Sequence, residues 1–146
     1  VVGVSLIEPS DGAVGLVGLV VGRPGSVGIG VPGAVNPKTG IVEFSTNLFL
    51  HNWEIVKMME ERLGKKVLIE NDANAAAYGE FLAGAAKGAT NAIAITLGTG
   101  VGAGIIINGK IYSGSNYAGA EMGHMVIVYN GRDCTCGRKG SCKTGP

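Results

Sequence analysis

The sequence predicts an α/β protein built around sheet of mixed direction. Three observations carry this. Apolar strand-like runs alternate with two stretches of helical spacing between residues 53 and 97. Asn108-Gly109 stands between Ile107 and Ile111, the strongest short-range hairpin signal in the chain. The balance of 46% hydrophobic to 16% charged residues suits a chain that buries a core.

Residues 1–31 read as short strands of Val, Leu, Ile and Gly, punctuated by turn chemistry at Glu8-Pro9-Ser10-Asp11-Gly12 and Gly22-Arg23-Pro24-Gly25. The run at 29–31 stops at Pro32-Gly33, and Asn36-Pro37-Lys38-Thr39-Gly40 is a further turn before a strand at 41–44. Residues 53–63 predict a helix: Asn52 suits the N-cap, Ile55, Val56, Met59 and Leu63 form one apolar stripe for the core, and Gly64 sits where a helix-ending glycine belongs. Residues 66–70 predict a buried strand, and 73–83 an alanine-rich helix that begins just after Asp72. Then come a strand at 91–97, a glycine-rich turn at 98–102 and a strand at 103–107.

With 146 residues the chain has room for one ordinary domain or parts of two. A net charge of +1 gives no general attraction to nucleic acid or anionic lipid, and Arg132, Arg138, Lys139 and Lys143 read as solvated charges. The longest apolar run is glycine-interrupted and well short of the about 20 residues a membrane span requires. A cytoplasmic protein with no membrane or nucleic-acid partner is expected.

Three segments have the residue types for chemistry. Glu70-Asn71-Asp72-Ala73-Asn74 joins a strand's C-terminal end to a helix start, where open α/β sheets handle ligands. There Asp72 suits a general base and Asn71 a holder of a neighbouring hydroxyl, while a plain helix cap is the competing role for Asp72. Leu97-Gly98-Thr99-Gly100-Val101-Gly102 lets backbone N–H groups and a hydroxyl approach phosphate, although hairpin turns use the same residues. The third segment is Glu121-Met122-Gly123-His124 with Cys134-Thr135-Cys136 and Cys142. One imidazole and three thiolates make a closed tetrahedral set for structural zinc, which would order the C-terminal segment and activate no water. His51, the other histidine, has no such company.

In order and spacing, Gly28-Ile29-Gly30-Val31-Pro32-Gly33, Thr46-Asn47-Leu48 with Trp53, Glu70-Asn71-Asp72-Ala73-Asn74, the glycine turn, Glu121-Met122-Gly123-His124 and Cys134-Thr135-Cys136-Gly137 closely resemble the ROK family of bacterial sugar kinases and repressors. The resemblance implies an actin-like ATPase (ribonuclease H-like) fold. Residues 1–72 would be part of the smaller N-terminal lobe, ending at the catalytic loop, and 73–146 part of the larger lobe. It implies ATP-dependent phosphorylation of a hexose, with glucose at its 6-hydroxyl the first choice, and with Mg2+ accompanying ATP and Zn2+ held as a structural ion. Asp72 resembles the catalytic base. Gly33, Asn47, Asn71, Glu121 and His124 resemble the sugar-binding groups, His124 also ligating zinc with Cys134, Cys136 and Cys142. Gly98, Thr99 and Gly100 resemble the phosphate loop, and a homo-oligomer is implied.

The resemblance is expected to be incomplete at both ends. The family's opening Asp-x-Gly-x-Thr phosphate turn has Ser5-Leu6-Ile7-Glu8-Pro9-Ser10 in its place, Ser141 is an extra residue before the last cysteine, and Thr144 replaces a glutamate that contacts sugar. A family without its covering helices would leave apolar sheet surface exposed. Two other readings therefore stand beside the kinase: a sugar-sensing repressor of the same family, and a zinc-stabilised module without catalysis.

Overall fold

The computed structural model describes residues 2–7, 16–21, 25–45, 48–98 and 100–145, the first two stretches by backbone alone. The chain divides into two compact units, Val1–Ala75 and Ala76–Pro146.

In the first unit, β1 (Val2–Ile7) and β2 (Leu16–Val21) pair antiparallel, with Val2 opposite Val21. The expected turn at 8–12 and residues 22–24 of the one at 22–25 lie outside the described residues; Gly25 is a turn residue at φ 95°. Strand β3 (Ser26–Val31) runs on to a three-stranded antiparallel meander of β4 (Ala34–Asn36), β5 (Ile41–Ser45) and β6 (Leu50–Trp53). Helix α1 (Ile55–Leu63) then returns the chain to β7 (Lys66–Asn71), which pairs parallel with β3 from Ser26↔Lys66 to Val31↔Asn71. A parallel pair needs a long crossover, and the meander with α1 supplies it. Parallel and antiparallel pairing thus coexist, as the sequence predicts.

Ile29, Val31, Val35, Val42, Ile55, Val67 and Ile69 form the buried core of this unit, with Trp53, Val56, Met58 and Met59 packed against it. Full burial of each branched side chain contributes about 1.5–3 kcal/mol. Alternate residues of β7 go inward: Val67 and Ile69 are buried while Leu68 is 53% exposed, so this strand is covered on one face only, against the expected burial of both.

Helix α1 starts later than its apolar stripe suggests. Trp53 ends β6 and pairs with Val42 of β5, Asn52 stands beside it in β6 at φ 49°, and the N-cap is Glu54 without a side-chain cap bond. An aromatic residue with a cross-strand partner and a core to fill overrides helical spacing. Of the stripe, Ile55 is fully buried, whereas Leu63 in the last turn is exposed. The stop is as expected: Gly64 takes the left-handed conformation at φ 59° and its N–H donates to the Glu60 carbonyl.

Helix α2 (Asp72–Ala83) leads into the second unit, whose sheet has the order β10-β9-β8: β8 (Ala92–Leu97), β9 (Val101–Ile107) and β10 (Lys110–Ile111), all antiparallel. Asn108 and Gly109 are both left-handed, at φ 52° and 73°, the geometry a two-residue hairpin needs. The glycine turn is shorter than expected. Thr96 pairs with Gly102 and Leu97 with Val101, so strand β9 already begins at Val101, and the Gly98 N–H donates to the Gly100 carbonyl. One face of β8 shows Ile93, Ile95 and Leu97 to solvent at 62%, 56% and 80% exposure, a contiguous apolar stripe on the sheet.

After β10 the chain is held by 3-10 turns at Met122–His124 and Cys142–Thr144 and by single bridges, Val126↔Ser141 and Asp133↔Lys139. Among the described residues no helix is long and apolar enough to cross a membrane.

Candidate functional site

The first cluster is built where β7 hands over to α2. Asn71 ends the strand and holds both sides of the junction: its Nδ2 donates to the Gly33 carbonyl at 3.0 Å and its Oδ1 accepts the Asn74 N–H at 3.0 Å. That second bond is an N-cap, so the capping role lies with Asn71 and not with Asp72. Asp72 is the first residue of α2; its Oδ1 accepts the adjacent Ala73 N–H at 2.9 Å and its side chain stands exposed at the helix mouth. A carboxylate so placed can meet a hydroxyl from solution while the residue before it stays fixed.

Gly33 is the other half of this junction. It has φ +115°, and a Cβ there would collide with the Phe44 carbonyl and lie 2.9 Å from the Ser45 Cα. Only glycine lets the turn after β3 approach β5 this closely while its carbonyl faces Asn71. The sequence missed the two residues behind Asn71. Glu70 Oε1 accepts the Asn71 N–H at 3.0 Å and the Asn74 Nδ2 at 3.1 Å, and Asn74 is 4% exposed. Their place in the same five-residue motif was the available signal. Asn47 lies outside the described residues.

The second cluster belongs to the second unit. A Cβ on Gly123 would collide with the Val101 carbonyl, so the Met122–His124 turn rests directly on the start of β9, beside the glycine loop. Of that loop Gly98 is exposed and Gly100 half-buried, and Thr99 lies outside the described residues. Lys143, a solvated charge by sequence, stands close to Gly100: a Cβ built there would lie 3.3 Å from its Cε and 3.8 Å from its Nζ, which puts an ammonium next to the loop.

His124 works on two sides. Its Nε2 is 3.9 Å from Glu121 Oε2, and its Nδ1 is 3.4 Å from Cys134 Sγ. Glu121 is exposed, so a carboxylate and one imidazole edge are offered outward while the other edge faces sulfur. The ligand atoms of His124, Cys134 and Cys136 all lie within 4.8 Å of one another. Cys142 is not in this group. The Cys134 thiol is lowered to about 6, chiefly by the Cys136 backbone N–H and then by the Ser141 hydroxyl, with burial opposing and the Cys136 and His124 side chains adding to the lowering.

A thiolate at neutral pH, a second cysteine and an imidazole edge at these separations fit a soft-ligand divalent ion such as zinc. His124 Nδ1, Cys134 Sγ and Cys136 Sγ would hold it, and the ion would supply charge and rigidity to the C-terminal segment. Glu121 at the far nitrogen would then set the imidazole tautomer. Metal analysis of the purified protein is expected to give about one ion per chain. Cys136→Ser, which removes one ligand, lowers that content and makes the Glu121 turn more susceptible to proteolysis. Full metal content in the Cys136→Ser protein would exclude this ligand set.

The ROK family model matches residues 19–145. A glucokinase from Thermotoga maritima is 45% identical over 115 residues, which cover 78% of this chain and 36% of that protein. The xylose repressor of Bacillus subtilis is 42% identical over 114 residues, 78% of this chain and 29% of the repressor. A solved ROK family glucokinase from Streptomyces griseus, in complex with glucose and AMPPNP, superposes with a TM-score of 0.75 at 43% identity, over 82% of this chain and 38% of that one. The chain therefore spans well under half the length of each. The actin-like ATPase fold implied by the sequence motifs is the fold of these neighbours, and the α/β elements described above are part of it.

Proposed function

We propose that this chain, which belongs to the ROK family, carries the sugar-holding and proton-accepting groups of an ATP-dependent hexose kinase, with glucose phosphorylated at its 6-hydroxyl. The observation that carries the reading is the β7–α2 junction: Asn71 is fixed on Gly33 and caps the helix, which leaves the Asp72 carboxylate exposed beside it. Phosphoryl transfer asks for little covalent chemistry from the protein, and mostly for a positioned nucleophile and stabilised charge. Asp72 accepts the proton of the attacking hydroxyl. Asn71, Glu121 and the outward edge of His124 hold neighbouring hydroxyls, with Gly33 and Asn47 in the segments that line the sugar. Gly98, Thr99 and Gly100 receive phosphate oxygens, Mg2+ accompanies ATP, and residues 1–72 and 73–146 belong to separate lobes.

The 45% identity to a glucokinase supports this reading, as does the likeness to a glucokinase that holds glucose and AMPPNP. A sugar-sensing repressor is the second reading. The 42% identity to a xylose repressor favours it. The experiment that separates them is a coupled assay of glucose 6-phosphate formation from ATP and glucose. The kinase reading expects product that depends on both substrates and on Mg2+. Saturable sugar binding without product transfers the conclusion to the sensor.

A further inference from the structure

The sequence spacing points to Cys142 as the fourth metal ligand, yet among the described residues only His124, Cys134 and Cys136 bring their ligand atoms within 4.8 Å of one another. Ser141 is in extended conformation, φ −70° and ψ 153°, and Cys142 opens the following 3-10 turn. Along extended backbone successive side chains face opposite sides. Ser141 is 0% exposed and Cys142 only half-buried, so the serine takes the inward position. The register is held twice: Val126 bridges Ser141, and the Cys142 N–H donates to the Met125 carbonyl at 2.8 Å, in the segment that directly follows His124. The Ser141 hydroxyl is among the groups that hold the Cys134 thiol below its usual range, and it lies 3.4 Å from Thr144 Oγ1.

We propose that Ser141, not Cys142, faces the fourth corner of the metal cluster, so that this chain holds its ion by His124, Cys134 and Cys136 alone and leaves one coordination position to water or a small exogenous donor. A neutral hydroxyl is a weak zinc ligand beside thiolates, and a site with three protein ligands keeps an open position where a four-ligand site is closed. The expected closed structural site is thereby replaced by an exchangeable one, which an added imidazole or small thiol can enter. The inference rests on the reading that the cluster binds metal.

Cobalt(II) reports both claims, because each thiolate bound to it adds charge-transfer absorption in the near ultraviolet. Titration of the full chain is expected to show a two-thiolate spectrum that Cys142→Ser leaves unchanged. Ser141→Cys, nearly isosteric with the native side chain, raises that absorption by about half and slows zinc removal by a chelator roughly tenfold or more. Added imidazole shifts the visible cobalt bands of the native protein and not those of Ser141→Cys. A native spectrum that loses intensity in Cys142→Ser overturns the inference, as does a native protein that binds no cobalt while Ser141→Cys does. Cobalt bound by neither protein overturns the metal reading beneath it. Retained secondary structure, followed by circular dichroism, shows that each variant is folded.

Discussion

Asp72→Asn is expected to leave a protein that still binds glucose with unchanged affinity but phosphorylates it about 10²–10⁴-fold more slowly than the native chain, if that chain acts as proposed. Asparagine has the same shape and keeps an oxygen for the Ala73 N–H, which Asp72 Oδ1 now accepts. What it lacks is the capacity to take a proton at neutral pH. The substitution separates chemistry from structure because Asn71 caps α2: its Oδ1 bond to the Asn74 N–H is untouched. Loss of a negative charge from the first helical turn costs only about 0.3–1 kcal/mol. A thermal unfolding midpoint close to that of the native protein is therefore expected beside the lost turnover. Native kcat in Asp72→Asn would remove Asp72 from the chemistry.

Gly33→Ala is the substitution with the largest structural consequence. Two costs coincide there, a left-handed φ of +115° and a Cβ driven against the Phe44 carbonyl. Backbone strain and overpacking together predict a loss of about 2–4 kcal/mol of stability. The relevant comparison is Gly64→Ala, where φ is +59° but a Cβ would meet nothing within 4 Å. That change carries the conformational cost alone, about 1 kcal/mol. Urea unfolding of the two proteins should show Gly33→Ala clearly the less stable. Because the Gly33 carbonyl accepts Asn71 Nδ2, glucose affinity should also fall in Gly33→Ala and be preserved in Gly64→Ala. Equal midpoints for the two proteins would mean that the close approach to Phe44 is not needed.

What the sequence made legible was local. Asn108-Gly109, the helix ending at Gly64 and the strand preceding Asp72 are each encoded by residues that dictate their own backbone. Strands β4 and β6, of three and four residues, are too short to show a period of two, and they exist because β5 pairs with both. Trp53 reads equally well as the first helical residue until its partner Val42 is known. The exposure of Leu68 and Leu63 likewise depends on what covers each face, which periodicity does not state.

The site divides in the same way. The pairing of Glu121 with His124 follows from spacing by three, and the motif around Asp72 names its own residues. That Asn71 rather than Asp72 caps the helix is set by a side-chain rotamer and by Gly33, remote in sequence. Composition cannot separate Ser141 from its neighbour Cys142, because the inward place that Ser141 takes depends on the bridge to Val126 and on one extended residue. Lys143 beside Gly100 is a tertiary contact with no local signal.

Titration calorimetry with glucose tests the central claim most directly, since both the kinase and the sensor require these side chains to hold a sugar. The account expects saturable heat from the native protein, the same heat from Asp72→Asn, and its loss when Glu121 is replaced by Ala. A native protein that binds neither glucose nor any other hexose would contradict it.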